Sequence, residues 1–221
     1  MGILRIWLAL CVVCAHSSLV CGFKMLPAFH AVGAFFVLAG FLATHVIEGK
    51  YKGDYLTFYA KRAIRIWPLY WLVWGVTAGV ILWAYFWMAK PVGTLWLWSL
   101  FNKYPSRAFM TGYALTQVFC VGQDLLSFAN ISRQGSIHWM LCASESPILL
   151  LNLCFMNVLP QAWTLAVEEY FYMAAPFLTR FGLKWSGALF AAGLALSSYK
   201  IPCENLATGF YPPTMLFFFG G

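Results

Sequence analysis

Residues 68–88 read PLYWLVWGVTAGVILWAYFWM, a run without a charged side chain. An α-helix needs about 20 apolar residues to cross the hydrocarbon core of a bilayer, so this stretch predicts a membrane-spanning helix. Its first residue, Pro68, lacks a backbone N–H, which costs little in the first turn of a helix. We therefore expect the span to begin at Pro68 and to end before Lys90 and Pro91.

The composition shows that this stretch is typical of the whole chain. Of the 221 residues, 62% are hydrophobic and only 10% are charged, which lies outside the range of soluble domains. The 11 Trp and 11 Tyr suit the two headgroup levels of a bilayer, where amphipathic rings gather. The sequence predicts an all-α, polytopic transmembrane helical bundle that forms a single domain over residues 1–221.

Other apolar segments extend this prediction along the chain. Four further spans are predicted, at residues 4–20, 30–47, 166–178 and 187–196. The first two are joined by a short turn and should form a helical hairpin. Residues 89–160 contain apolar stretches that are short or interrupted by polar side chains, so no boundaries are predicted there. Within this region, NISRQGSIHW at residues 130–139 is interpreted as a loop.

The basic residues are unevenly distributed. The formal net charge is +7, and five of the 14 basic residues lie in one short stretch: Lys50, Lys52, Lys61, Arg62 and Arg65. Such a cluster beside a span is typical of a cytoplasmic loop, which places the amino terminus in the cytoplasm and predicts no nucleic-acid partner. Contact with anionic lipid headgroups and a phosphate-binding role both fit this cluster, and both can hold together.

Arg5 and His16 stand out in the first predicted span. They are eleven residues apart, which places them on one helix face at a separation of about 16 Å. Ionisable groups inside a membrane are costly and are therefore functional candidates. A buried histidine stays neutral and can accept a proton, so His16 is a candidate general base. The alternative is a histidine that is hydrogen-bonded between helices for packing.

Two further patterns carry charge next to predicted spans. On a helix, Lys61, Arg62 and Arg65 form one cationic face that could bind the phosphates of a nucleotide-bearing donor. Glu168 could orient the histidine or an acceptor hydroxyl, and the alternative is a solvated charge at the interface. Cys11 and Cys14 form a lone C-x-x-C pair, which predicts no metal site without further ligands.

Four elements, in this order, resemble those of the acyltransferase 3 family of bacterial integral-membrane acyltransferases. The family's pattern of an arginine, ten further residues and a histidine is matched by Arg5 and His16. The family's FFVLSGF element reads FFVLAGF at residues 35–41, and its R-x-x-R-I-x-P-x-Y element reads RAIRIWPLY at residues 62–70. The W-S-L-x-x-E-x-x-F-Y element reads WTLAVEEYFY at residues 163–172.

The resemblance implies an O-acyltransferase of the bacterial inner membrane. The donor would be acyl-coenzyme A, commonly acetyl-coenzyme A, and the acceptor a hydroxyl of a carbohydrate or lipid-linked glycan of the cell envelope. The fold would be a bundle of about ten helices, each crossing about 30 Å of lipid. The implied site residues are His16 as catalytic histidine, Arg5 as its partner, Arg62 and Arg65 with Lys61 for the coenzyme phosphates, and Glu168 as the acidic group.

The chain departs from the family pattern in two ways. Ala39 replaces a serine, and Thr164 replaces another but keeps the hydroxyl. The family's usual length also exceeds that of this chain, so we expect closing helices to be missing at the carboxyl end. A truncated, non-catalytic paralogue that acts as a membrane partner is therefore an alternative. A transporter module is another, although the internal symmetry typical of transporters is not found in the sequence. The sequence leaves the oligomeric state open.

Overall fold

A computed structural model describes residues 2–16, 26–101, 103–139 and 150–181. The predicted span at residues 187–196 lies outside these ranges. The chain divides into two compact units: a first unit of residues 1–58, 171–200 and 211–221, and a second unit of residues 59–170 and 201–210. The single-domain organisation stays a prediction.

Two helices in the first unit form the predicted hairpin. Helix α1 spans Gly2–His16 and helix α2 spans Ala28–Gly49. The core of the hairpin is formed by buried Leu8, Cys11 and Ala31, against which Val12, Leu26, Ala34, Phe35 and Leu38 pack. On α2, Ala39 and Ala43 are also buried. Residues this small let another segment approach the helix closely.

Helix α3 spans Tyr55–Met88, so the predicted start at Pro68 is wrong. Asp54 starts the helix well before the proline, because its Oδ1 accepts a hydrogen bond from Thr57 N at 3.2 Å. Inside the helix, Pro68 removes the hydrogen bond that its own N–H would donate to the carbonyl of Ile64, while the neighbouring turns keep theirs. The predicted basic loop is therefore partly helical, and its last three basic residues lie on α3.

Two described helices are long and apolar enough to cross a membrane, His30–Gly49 within α2 and Tyr55–Met88. The outer side of α3 carries large exposed apolar rings, with Trp83, Phe86 and Trp87 at 62%, 77% and 76% exposure. A surface of this kind is stable in lipid rather than in water. The described part of the chain is thus mostly helical, and the full bundle stays a prediction.

The second unit continues with two short helices. Helix α4 spans Thr94–Ser99 and helix α5 spans Arg107–Phe119. Ser106 caps α5, because its Oγ accepts a hydrogen bond from Phe109 N at 3.3 Å. The helix ends at Cys120, whose φ of 61° is left-handed. The apolar stretch in this region is thereby interrupted before it is long enough to span a bilayer.

A small sheet follows, and it corrects both the loop interpretation of residues 130–139 and the all-α prediction. Strands β1 (Ala129–Ser132), β2 (Ile137–Trp139) and β3 (Leu150–Asn152) pair antiparallel in the order β2-β1-β3. The turn between β1 and β2 forms because Gly135 adopts a φ of 78°, and Gly135 N donates to the carbonyl of Ser132 at 2.9 Å.

The sheet belongs to one of the hydrophobic cores that the described residues of the second unit form. Buried members of this core are Phe101, Leu126, Ala129, Ile131, Leu153 and Met156. Helix α6 then spans Trp163–Leu178, close to the predicted segment at residues 166–178. Its first half lies in the second unit and its second half in the first. The whole WTLAVEEYFY element, residues 163–172, lies on this helix.

Candidate active site

The predicted site residues are distributed over both compact units. Arg5 and His16 lie on α1 in the first unit, and the second unit contains Lys61, Arg62 and Arg65 on α3 and Glu168 on α6.

Arg5 and His16 lie on one continuous helix, which places their backbones on one face about 16 Å apart, as predicted. The His16 side chain lies outside the described part of the structure. Arg5 is partly buried, and its Nε has no hydrogen-bond partner among the described residues. A buried N–H without a partner is costly, so an acceptor bound next to Arg5 would be stabilised.

The cationic face is helical throughout. Lys61 and Arg65 are exposed and Arg62 is partly buried. At about 100° per residue, Lys61 and Arg65 differ by about 40° around the helix, and Arg62 and Arg65 by about 60°. The three cations therefore share one side of α3, as the sequence predicts. Because two of them are exposed, this side can receive an anionic ligand.

The acidic pair on α6 has two different environments. Glu168 is partly buried, whereas Glu169 is only 9% exposed. Trp67 Nε1 donates a hydrogen bond to Glu169 Oε1 at 2.7 Å. Within the described ranges, Glu169 Oε2 is buried without a partner. Trp67 follows the basic residues of α3, so this bond connects the basic element to the acidic one.

Buried side-chain amides form a network next to this pair. Tyr70 OH donates to the carbonyl of Gln117 at 2.5 Å and accepts from Gln123 Nε2 at 2.7 Å. Gln117 Nε2 donates to Asn157 Oδ1 at 2.8 Å. In the described part of the chain, Gln117 Oε1, Gln123 Oε1 and Asn157 Nδ2 are buried without partners. The network is thus polar, enclosed and only partly satisfied.

Asp124 extends the polar region at the end of α5. Its Oδ1 accepts a hydrogen bond from Tyr170 OH at 3.1 Å, and Tyr170 OH accepts one from Gly122 N at 2.7 Å. Burial raises the pKa of Asp124, and hydrogen bonds from Tyr170 and from backbone N–H groups lower it by less. The structure therefore favours the protonated form of this carboxyl group.

The second unit also has a shallow groove of about 650 Å³. It is lined mainly by apolar residues, among them Ile81, Trp96 and Phe155, and Asn157 of the amide network also lines it. Among the described residues, no three His, Cys, Asp or Glu side chains lie close enough together to hold a metal ion.

A family model described as an acyltransferase domain matches residues 1–221. The chain belongs to the acyltransferase 3 family. No curated protein and no solved structure matches the chain. The resemblance seen in the sequence is therefore confirmed at the level of the family, which is membrane-associated, in agreement with the two long apolar helices.

Four side chains of this acyltransferase 3 member were assigned no role by the sequence analysis. Trp67 and Glu169 lie within matched elements, next to residues that were assigned roles. The pattern contains both positions, but helical spacing does not reveal which of two adjacent carboxylates is buried. Gln117 and Asp124 interrupt an apolar stretch of the sequence, which is the signal that could have identified them.

Proposed function

We propose that this acyltransferase 3 member transfers an acyl group, in the first instance acetyl, from acyl-coenzyme A to a hydroxyl of a cell-envelope or exported carbohydrate, free or lipid-linked. The family match over the whole chain carries this proposal. We assign the protein to the bacterial inner membrane as a multi-pass protein with a cytoplasmic amino terminus.

The donor is assigned to the cationic face of α3. Coenzyme A carries several phosphates and is made in the cytoplasm, where basic membrane-flanking segments lie. The side of α3 with Arg62 and Arg65, together with exposed Lys61, offers guanidinium groups that can bind phosphate oxygens in pairs. This arrangement supports a nucleotide-bearing donor over an uncharged one.

The general base in this proposal is His16. The acceptor oxygen attacks the thioester carbonyl carbon while His16 takes the hydroxyl proton, and the C–S bond then breaks. His16 returns the proton to the departing thiolate, so coenzyme A leaves as a thiol and the histidine is neutral again. A base positioned in this way contributes about 10² to 10⁴ in rate. Arg5 acts as its partner on the same face of α1, and Glu168 supplies the acidic group of the site.

Acetyl transfer in membranes tests this function. Radiolabelled acetyl-coenzyme A is added to membranes that carry the chain, and label in the glycan fraction is measured. We expect label with the parent and a loss of about 10²-fold or more with His16→Ala, because the base is removed.

The matched control is His45→Ala, since His45 is an exposed histidine on α2 that stacks on Phe41 and is assigned no chemistry. This variant should label the glycan at the parent's rate. Equal labelling by His16→Ala at equal protein levels would exclude the histidine as the base. A parent that labels no glycan would contradict the function for this donor and favour the non-catalytic alternative.

A further inference from the structure

Pro68 lies between the basic face of α3 and the apolar part of the same helix. Because Pro68 has no N–H and its ring crowds the carbonyl of Ile64, the helix lacks one hydrogen bond here and bends more easily than elsewhere. The direction of the basic segment therefore depends on side-chain contacts, both next to the proline and at the start of the helix, where buried Phe58 packs edge-on against Tyr172.

The apolar side of Pro68 is held by two hydrogen bonds. Tyr70 OH and Trp71 Nε1 donate to consecutive backbone carbonyls near the end of α5, at 2.5 and 2.7 Å. Both donors follow the proline, within one turn of it. They fix the apolar part of α3 against α5 but do not act directly on the basic part, which precedes the proline.

Next to the proline, the basic side is held by Trp67. This residue immediately precedes Pro68, and its Nε1 donates to Glu169 Oε1 at 2.7 Å. A hydrogen bond to a buried carboxyl group is stronger than one between exposed neutral groups. The Trp67 ring also packs at an angle on Trp71 and edge-on against Phe119, which limits its rotation.

We propose that Glu169 is a positioning residue for coenzyme binding, because its hydrogen bond to Trp67 fixes the direction of the segment that carries Arg62 and Arg65. This inference rests on the proposed function, which assigns the coenzyme phosphates to those two arginines. Trp67 and Arg65 point about 160° apart around α3. Glu169 therefore acts through the helix and does not touch the coenzyme. Binding of phosphate by two guanidinium groups needs both to be aligned at once, so a change in direction weakens it.

Equilibrium binding of radiolabelled coenzyme A to membranes carrying the chain tests the inference. Trp67→Phe removes the donor and Glu169→Leu removes the acceptor, and each should raise the Kd by about three- to tenfold. Glu169→Gln should stay within about twofold of the parent, because its amide oxygen still accepts the indole hydrogen bond. The double variant Trp67→Phe/Glu169→Leu should be no weaker than either single variant.

Two further variants separate positioning from a general loss of packing. Trp87→Phe changes a tryptophan on the same helix that is 76% exposed, and it should leave the Kd unchanged. Pro68→Ala restores the missing helix hydrogen bond, so Trp67→Phe should weaken binding less in that background.

Unchanged Kd values in Trp67→Phe and Glu169→Leu, at equal protein levels, would overturn the inference. So would a Glu169→Gln variant as weak as Glu169→Leu, since the carboxylate charge would then be required.

Acetyl transfer in the same membranes separates the two proposals. If the parent binds coenzyme A but transfers no acetyl, the proposed function fails and the Kd values decide the inference; if it binds none, both fail. In an active parent, saturating acetyl-coenzyme A should restore the rate of Trp67→Phe, and a rate that stays low would assign Glu169 to the chemistry instead.

Discussion

Asp124 and Glu169 each have one carboxyl oxygen with a hydrogen-bond donor and one without a partner among the described residues. An unpaired buried oxygen costs about 1–3 kcal/mol, and more if it is charged. The two side chains nevertheless lie within the same buried polar region of the second unit. At the scale of single residues, this region is therefore less stable than an apolar core would be, which is typical of functional sites.

Asp124 should make the stability of the chain depend on pH. Its ordinary pKa is 3.8, and burial raises the folded value. The folded chain then binds a proton more tightly than the unfolded chain, so the contribution is fully present below the unfolded pKa and is lost as the pH rises through the folded pKa. We expect the thermal unfolding temperature in detergent to fall from about pH 4 upward, and to fall less in Asp124→Asn.

The control for this prediction is Asp54→Asn, because Asp54 is exposed and its carboxylate caps α3. Asn caps a helix about as well as Asp, so this variant should keep an unfolding temperature near the parent's and the same decline above pH 4. Parallel pH curves for the parent and Asp124→Asn would show that Asp124 does not carry the effect.

The sequence predicts the locations of charge in the site better than the burial of each charged group. Arg5, Arg62 and Arg65 were identified because charged residues are rare in an apolar sequence, and rarity can be read directly. The difference between Glu168 and Glu169 depends on which side of α6 faces Trp67. That is set by tertiary packing, which a short motif does not contain.

At the scale of elements, α3 shows why one boundary was mispredicted. Its 34 residues are about 51 Å long, whereas the hydrocarbon core is about 30 Å thick. The apolar segment 68–88 matches that thickness. The hydrophobic pattern therefore predicts only the part of the helix that lies in lipid, and not where the helix begins. The basic residues extend the helix beyond the hydrocarbon region, where Asp54 provides its cap.

The small sheet was missed because its strands are short. Strands of three or four residues are too short to show a periodicity, and the polar residues around Gly135 equally suit a loop. The informative signal was the glycine, since Gly135 adopts a positive φ in this turn, which glycine does without steric cost.

Gly135→Ala tests the importance of this turn. Gly135 has a φ of 78°, and an added Cβ would lie 2.5 Å from the carbonyl oxygen of Lys103. Both the backbone strain and the clash with main chain oppose the substitution, so we expect a loss of about 1–3 kcal/mol in stability. Thermal unfolding of the variant in detergent measures this loss.

Gly112→Ala is the matched control. Gly112 lies within α5, and no described atom outside its own helix turn lies within 4 Å of the added Cβ. Alanine is the better helix former, so this variant should gain about 0.5–1 kcal/mol. Equal unfolding temperatures for the two variants would contradict the role assigned to the turn.

At the scale of the whole molecule, lipid has to cover much of the apolar surface. Rings such as Trp83 and Phe86 remain exposed along α3, and the chain around them carries few charges. Composition therefore predicts well that the folded chain is surrounded by lipid. It does not predict how the segments are grouped, because the two compact units are defined by contacts between residues distant in sequence.

The orientation of the chain in the membrane gives the last prediction. Basic residues gather at the start of α3, which should lie on the cytoplasmic side. Gly49→Cys, at the exposed end of α2, should react with a membrane-impermeant maleimide in inverted vesicles and not in spheroplasts. Lys90→Cys, just beyond the other end of α3, should show the opposite pattern. The parent provides the background from native cysteines. If Gly49→Cys reacts in spheroplasts, the basic face of α3 lies outside the cytoplasm, and the coenzyme cannot reach the arginines assigned to it.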